Sequence, residues 1–412
     1  MSPNIRIALR FLTAKRRSML MSLTGIVFGV GFFIFTQAQT SGFEEFFIKT
    51  ILGTNGALRI EDSIQDTLST MSSDGSDFAF AHRDSVKYVE GIAEPEKLRQ
   101  AVGQFGGVTG IAEVLTGAVL VRGSIRSDAA RVFGINVEDQ LRVSDLGRQI
   151  VFGHLNDFKV NPSGLLIGRV LASRLGVNVG EPIALEAAGQ MRHYRVSAIF
   201  ETGVSDIDRQ RLYMHMQETR SLLQQGDGAS FLQVAIADRN RAPALAAHMQ
   251  RTLQHAVTPW QEREKTWLEV FRALRISSAL TVSTLIIISG LGMFNTLAMI
   301  VMEKTKEIAI LRSMGYTRQD IAHIFLWQGV IVLLVGVILG WLFGAGITFS
   351  VSRLPLRIRG IFSTDSFVVA WSIWHYVFAA LTAAVVVMMA SLIPARRAAR
   401  LEPGDVIRGT SQ

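Results

Sequence analysis

The sequence predicts an α-helical membrane protein with four transmembrane helices and one large α+β domain between the first and second. Three observations predict it. Hydrophobic residues make up 49% of the 412-residue chain and charged ones only 18%, against about 25% charged in an average soluble domain. Four apolar runs, at 18–39, 273–301, 321–351 and 374–393, reach the roughly 20 helical residues that a bilayer core requires. The stretch between the first two runs, 40–272, is long enough to bury a core of its own.

Lys and Arg orient the spans. Arg6, Arg10, Lys15, Arg16 and Arg17 lie in the amphipathic segment 1–17. Lys304, Lys306, Arg312 and Arg318 lie in the 302–320 loop, and Arg396, Arg397, Arg400 and Arg408 in the 394–412 tail. The short 352–373 loop carries Arg353, Arg357 and Arg359. Thirteen against three places both termini and the 302–320 loop in the cytoplasm, by the positive-inside rule. The domain 40–272 is then extracytoplasmic. The net charge of +8 is mostly this topology signal; a nucleic-acid footprint would gather on one face of a soluble domain. A secretory signal is the alternative reading of 18–39, but its apolar run exceeds a short signal core and no small-residue cleavage site follows.

Within the spans, Gly25 and Gly29 are spaced GxxxG, and Gly336, Gly340 and Gly344 extend the spacing. Small residues so spaced let helices approach closely, although membrane helices also carry glycine without that purpose. Trp371 and Trp374 fit an interfacial aromatic belt. No Asp, Glu, Lys or Arg stands mid-span, which argues against a proton relay or ion-coupled carrier.

In the large domain, Ala57–Glu61, Ala118–Arg122, Arg192–Phe200 and Phe231–Ala237 read as strands. Glu94–Phe105, Leu165–Leu175 and Ala242–Leu253 read as helices. Glu186–Gln190 reads as a plain hairpin turn. From Gln261 to Met302 the pattern is helical with no clear breaker before Gly290. One helix of that length measures about 60 Å, twice the roughly 30 Å hydrocarbon core, so the excess would stand out as a stalk. A break near Phe271 is the alternative.

Two regions are candidates for function. The cytoplasmic segment Glu303–Tyr316 is short, charged and amphipathic, and Gly315 suits a helix C-cap. Its candidate contact residues are Glu303, Lys304, Glu307, Ile308, Leu311, Arg312 and Gly315; Ile308 and Leu311 are expected to bury against a partner while the charges pair at the rim. The second candidate is the end of the first span, where Phe35, Gln39, Thr40, Phe43, Phe46 and Phe47 cluster. An apolar cleft with a few polar groups suits an acylated cargo; interfacial packing is the other reading.

The Glu303–Tyr316 loop resembles the coupling element of the MacB/FtsX permeases. The tail Pro394–Pro403, followed by Val406, Ile407 and Arg408, is similar to theirs, and so is "GLLIGRVLASRLGVNVGE" at 164–181. Gly42, Phe43, Glu44 and Glu45, then Ile51 and Leu52, resemble the LolC/LolE branch. The resemblance implies a permease of type VII architecture in a bacterial inner membrane, with its large domain in the periplasm. It implies an ABC ATPase homodimer and a second permease copy or paralogue as partners, lipoprotein or lipid-like cargo, and a periplasmic carrier or adaptor. The loop that recruits a carrier in LolC has no counterpart at Glu186–Gln190. MacB-like efflux and FtsX-like control of a cell-wall hydrolase remain the alternatives.

The sequence offers no catalytic chemistry. It has no P-loop, HExxH or G-x-S-x-G pattern, so any ATP hydrolysis belongs to another chain. No cofactor, metal or nucleic-acid partner is expected. Its eight histidines lack ligand spacing, and Asp206 and Asp208 form an isolated D-x-D.

Overall fold

The computed structural model describes residues 3–14, 16–63, 68–73, 76–81, 91–123, 126–354 and 367–401. Arg357, Arg359 and the tail beyond Leu401 lie outside them. The chain divides into two compact units. One comprises Met1–Glu45, Glu269–Leu356 and Asp365–Gln412; the other is essentially Phe46–Leu268.

The first unit is helical. Four helices are long and apolar enough to cross a membrane: Arg16–Asn55, Lys265–Glu303, Arg318–Ser352 and Ile373–Ala399. They are called the first to fourth long helices below. The first unit holds the first helix up to Glu45 and the second from Glu269. A preceding helix, Pro3–Ala14, buries Ala8, Phe11 and Leu12 and sets Phe11 6.3 Å from Phe325 of the third. The glycine spacing has a packing purpose. A Cβ on Gly25 would come 2.6 Å from Ser289 Oγ, and one on Gly340 would come 2.7 Å from Val30. Only a hydrogen fits at these approaches. Ser22 Oγ and Thr296 Oγ1 share a 3.0 Å hydrogen bond between the first and second helices.

Helix ends differ from the sequence expectations. The second long helix starts at Lys265 rather than Gln261 and continues through Phe271. Before it, Trp260–Arg263 form a separate turn, where Trp260 is buried and its indole N–H donates to Arg239 O at 3.1 Å. The fourth helix runs past Ile393 and through Pro394 to Ala399.

The second unit is built on a ten-stranded sheet. Its strands are β1 (Leu58–Ser63), β4 (Val108–Arg122), β5 (Ser127–Ile135), β6 (Ile150–Gly153), β7 (Gly164–Gly168), β8 (Pro182–Ala187), β9 (Gln190–Phe200), β10 (Arg211–His215), β11 (Phe231–Ile236) and β12 (His255–Pro259). A separate hairpin pairs β2 (Leu68–Ser73) with β3 (Ser76–Ala81). The pairings β4–β5, β5–β10, β10–β7, β7–β9, β9–β8 and β8–β4 close a ring of six strands. β4 also leaves the ring to pair with β11, which leads on through β1 to β12. Strand alternation separates two cores. Val132, Ile167, Val196 and Leu212 lie in one; Phe133, Leu166, Phe200 and Tyr213 lie in the other.

The helix expected over Leu165–Leu175 begins only at Arg169, and Gly164–Gly168 form β7. All five β7 residues are buried, flanked by β10 and β9. A strand buried on both faces loses its alternation and reads like a helix. Gly176 ends the following helix at φ +68°, as a left-handed C-cap needs. The turn expected at Glu186–Gln190 narrows to Ala188 and Gly189, both at positive φ, a two-residue hairpin of the type that matches strand twist.

Candidate functional site

The Glu303–Tyr316 segment folds into a nine-residue helix, Thr305–Ser313, between the second and third long helices. Gly315 stands just beyond its end at φ +100°, a conformation that costs glycine nothing. Thr317 and Asp320 then form a capping box that starts the third long helix. These local signals fix the helix ends, and tertiary packing fixes its rotation.

That rotation corrects the expected contact face. Ile308 is 0% exposed within the unit's apolar core, and Leu311 packs half-buried against the same core. Neither is presented as a free contact. The outward apolar side chains are Ile310 and Met314, 58% and 73% exposed. Glu303 and Glu307 are exposed, and Lys304 is half-buried. Lys304 pairs with Glu307 within the segment. Arg312 turns inward: its Nη1 donates to Leu401 O at 2.8 Å and Ala399 O at 3.2 Å. Two motifs nearly ninety residues apart therefore meet. In the tail motif, Pro394, Ala395 and Ala398 are buried while Arg396, Arg397 and Arg400 are exposed.

The phenylalanine cluster separates. Phe35, Gln39, Thr40 and Phe43 are half-buried in the first unit. Thr40 Oγ1 donates to Thr36 O of its own helix at 2.9 Å, and the Phe43 ring lies 5.9 Å from that of Phe367. Phe46 and Phe47 belong to the second unit. Phe47 is 1% exposed, with its ring 5.4 Å from Trp267; it is core, with no face left for cargo. Gly42 has a packing role, since its Cβ would fall 2.6 Å from Val369 Cα. Glu44 forms an ion pair with Arg275. Gln37, buried two residues before Gln39, donates from its Nε2 to Arg275 O at 3.2 Å.

Asp206 and Asp208 do not converge. Asp206 is exposed, whereas Asp208 is buried. Its Oδ1 accepts from Thr202 N at 2.8 Å and Thr202 Oγ1 at 2.7 Å. Its Oδ2 is buried and unpartnered. Burial raises the Asp208 carboxyl to about 6, against the lowering effect of the Thr202 and Gly203 bonds.

Comparison with known proteins finds two domain matches. Residues 19–252 match the MacB-like periplasmic core domain, and residues 279–403 match the FtsX-like permease C-terminal domain. The chain belongs to the MacB/FtsX permease family. It is 24% identical to the lipoprotein-releasing system transmembrane protein LolC of Xylella fastidiosa strain Temecula1, over 98% of both chains. It is 24% identical to the LolE protein of Haemophilus influenzae, over 76% of this chain and 80% of that one. A 134-residue stretch is 32% identical to the macrolide export ATP-binding/permease protein MacB of Psychrobacter cryohalolentis, covering 32% of this chain and 19% of that one. The LolC and LolE relatives are named as transmembrane proteins of a lipoprotein-releasing system, whereas the MacB relative joins ATP-binding and permease parts in one chain. The loop motif and the tail through Pro403 fall inside the permease match, and Val406, Ile407 and Arg408 lie just beyond it.

Proposed function

We propose that this chain is a permease subunit that extracts lipoproteins or other lipid-anchored cargo from the outer leaflet of a bacterial inner membrane, driven by a separate ATPase homodimer. The observation that carries the reading is the Thr305–Ser313 helix. One face is built into the apolar core of the helical unit, and the other presents Ile310 to solvent, with Met314 at the C-cap beside it. Such a helix cannot shift without moving what it is packed into. ATPase closure against Ile310 and Met314 is then passed to the second and third long helices. The second, 39 residues and about 58 Å long, exceeds the bilayer core and would carry the movement to the periplasmic side. Cargo would engage the half-buried Phe35, Gln39, Thr40 and Phe43 on the first helix, paired with a second permease copy or paralogue. The full-length similarity to LolC supports lipoprotein as the cargo class. Both termini are assigned to the cytoplasm on the Lys/Arg distribution.

The MacB-like alternative rests on the 134-residue match and on the two-residue turn at Ala188–Gly189, which offers no hook for a soluble carrier. Reconstitution separates the two. Proteoliposomes holding this chain, its partner permease and the ATPase should release a fluorescent triacylated peptide when ATP is added. Release of a non-acylated amphiphile, with the triacylated peptide retained, would replace the lipoprotein reading with efflux.

A further inference from the structure

Four arginines from separate parts of the chain converge in the second unit. Arg131 on β5 and Arg211 on β10 are direct partners in the parallel register, and Tyr213 pairs with Phe133 two positions on. Arg59 enters from β1, and Arg263 from the turn before the second long helix. All four line a recess of about 150 Å³ with Asn55, Thr116, Phe133, Phe231 and Gln233. The recess adjoins a polar cleft of about 520 Å³ that shares Arg59, Thr116 and Arg131 and adds Glu61, Asp62, Gln225 and Ser230.

Like charges placed side by side in a sheet repel, so the arrangement calls for compensation. Part of it comes from within. Arg59 lies 2.8 Å from Glu61 Oε1, and Arg263 3.3 Å from Glu264 Oε1. The Arg59 guanidinium lies 3.8 Å from the Phe231 ring centroid and Arg211 lies 4.2 Å from that of Phe133, as cation–π contact favours. Arg211 Nη1 donates to Tyr213 Oη at 3.0 Å. Among the described residues, Arg131 and Arg211 form no ion pair, and the recess lining holds no carboxylate. Against the two carboxylates in contact with them, Glu61 and Glu264, the four cations keep an excess of two; Asp62 stands in the adjoining cleft, where its Oδ1 accepts from Gly91 N. Hydrogen-bonding capacity is also left over. Arg59 Nε, Arg263 Nη1 and Thr116 Oγ1 are buried without a hydrogen-bond partner. Arg59 Nε is near Glu61 but without bonding geometry. Burial lowers the Arg59 guanidinium below its ordinary range; Glu61 opposes this, and Arg263, Arg131 and Arg211 add to it.

We propose that this recess binds a phosphate monoester group, with the polar body that carries it in the adjoining cleft. Guanidinium forks match phosphate oxygens in pairs. A phosphate monoester carries about −1.5 to −2 near pH 7, which meets the excess of two, whereas a carboxylate or phosphodiester supplies only −1. The group could be presented by a phosphatidate-type lipid headgroup or by a free phosphate ester. Asn55 ends the first long helix and Arg263 stands two residues before the second, so occupancy would order both of these chain segments within this unit.

The test is calorimetric titration of the full-length chain in non-ionic detergent and phosphate-free buffer. The probes are inorganic phosphate, glycerol 3-phosphate and dihexanoyl phosphatidic acid, with dihexanoyl phosphatidylglycerol as the diester comparison. Saturable binding to at least one monoester or to phosphate is expected, tighter than to the diester. It should weaken at least tenfold in Arg131→Gln, whose side chain is exposed and whose folding a thermal melt checks, and further in Arg131→Gln with Arg263→Gln. Equal binding of inorganic phosphate and glycerol 3-phosphate assigns a soluble source; binding of phosphatidic acid alone assigns a lipid. The proposal is overturned if wild type binds none of the monoester probes, or if Arg131→Gln binds as tightly as wild type.

Discussion

Replacing Ile310 and Met314 together by Ala should cut ATPase binding sharply while leaving the permease folded. Full burial of an Ile- or Met-sized side chain stabilises by about 1.5–3 kcal/mol. Ile310 is 58% exposed and Met314 73%, so each has roughly 1–2 kcal/mol left to gain at an interface. The pair then contributes about 2–4 kcal/mol, or roughly 30- to 700-fold in Kd. Glu307 makes a sharp comparison. It already pairs with Lys304 in its own segment, and a rim ion pair is worth about 0–1 kcal/mol, so Glu307→Ala should change Kd less than about fivefold. Ile308→Ala should behave differently again. It opens a cavity in the unit's own core, costs about 2–4 kcal/mol of stability, and lowers the melting temperature of the permease itself. The assay is titration of purified ATPase onto detergent-solubilised permease variants, with a thermal melt of each. If the double variant binds ATPase as wild type does, this helix is not the ATPase contact and the coupling scheme fails.

Two further predictions follow from the second unit and from the Lys/Arg distribution. Burial raises Asp208 from its ordinary 3.8 to about 6, so its contribution to stability is fully present below about pH 4 and is lost as pH rises through 6. Relative to wild type, Asp208→Asn should therefore gain up to about 3 kcal/mol between pH 4 and pH 7; a stability difference that stays constant over that range in pH-dependent melts would show that the carboxyl does not titrate there. The chain has no cysteine, so single cysteines report topology cleanly. Gly226→Cys, in an exposed loop, should react with an impermeant thiol reagent in cells with a permeabilised outer membrane, and Ser313→Cys should stay protected; the opposite pattern would invert the proposed orientation.

The helical framework was legible because long apolar runs are a local signal. Gly25, Gly29 and Gly340 were legible for the same reason, as spacing along one helix face. The six-strand ring was not, because it depends on pairings far apart in sequence, such as Leu120 with Glu186 and Arg131 with Arg211. β7 was misread because both its faces are buried. The arginine recess was invisible for a related reason. Its four members stand at 59, 131, 211 and 263, and they meet only through the sheet pairings and the turn after β12. Within the Thr305–Ser313 helix the difficulty was rotational. Ile308, Ile310, Leu311 and Met314 surround a short helix too evenly for the sequence to say which face is buried.

Rotation bears on the proposed mechanism as well as on the proposed contact. Had Ile308 and Leu311 faced outward, the segment would be a charged loop hinged at both ends, and a push on it could dissipate in the hinges. Instead Ile308 is locked into the core beside the long helices, and Arg312 holds the backbone carbonyls of Ala399 and Leu401. The fourth long helix continues unbroken through Pro394 into that contact. Pro394 lacks an N–H to donate, yet the helix runs on past it, with Pro394, Ala395 and Ala398 buried. The linking helix thereby joins the second, third and fourth long helices into one body at this end. Closely packed interiors shift between discrete arrangements rather than deforming smoothly, so in the proposed mechanism a load applied at Ile310 and Met314 would reach all three helices together.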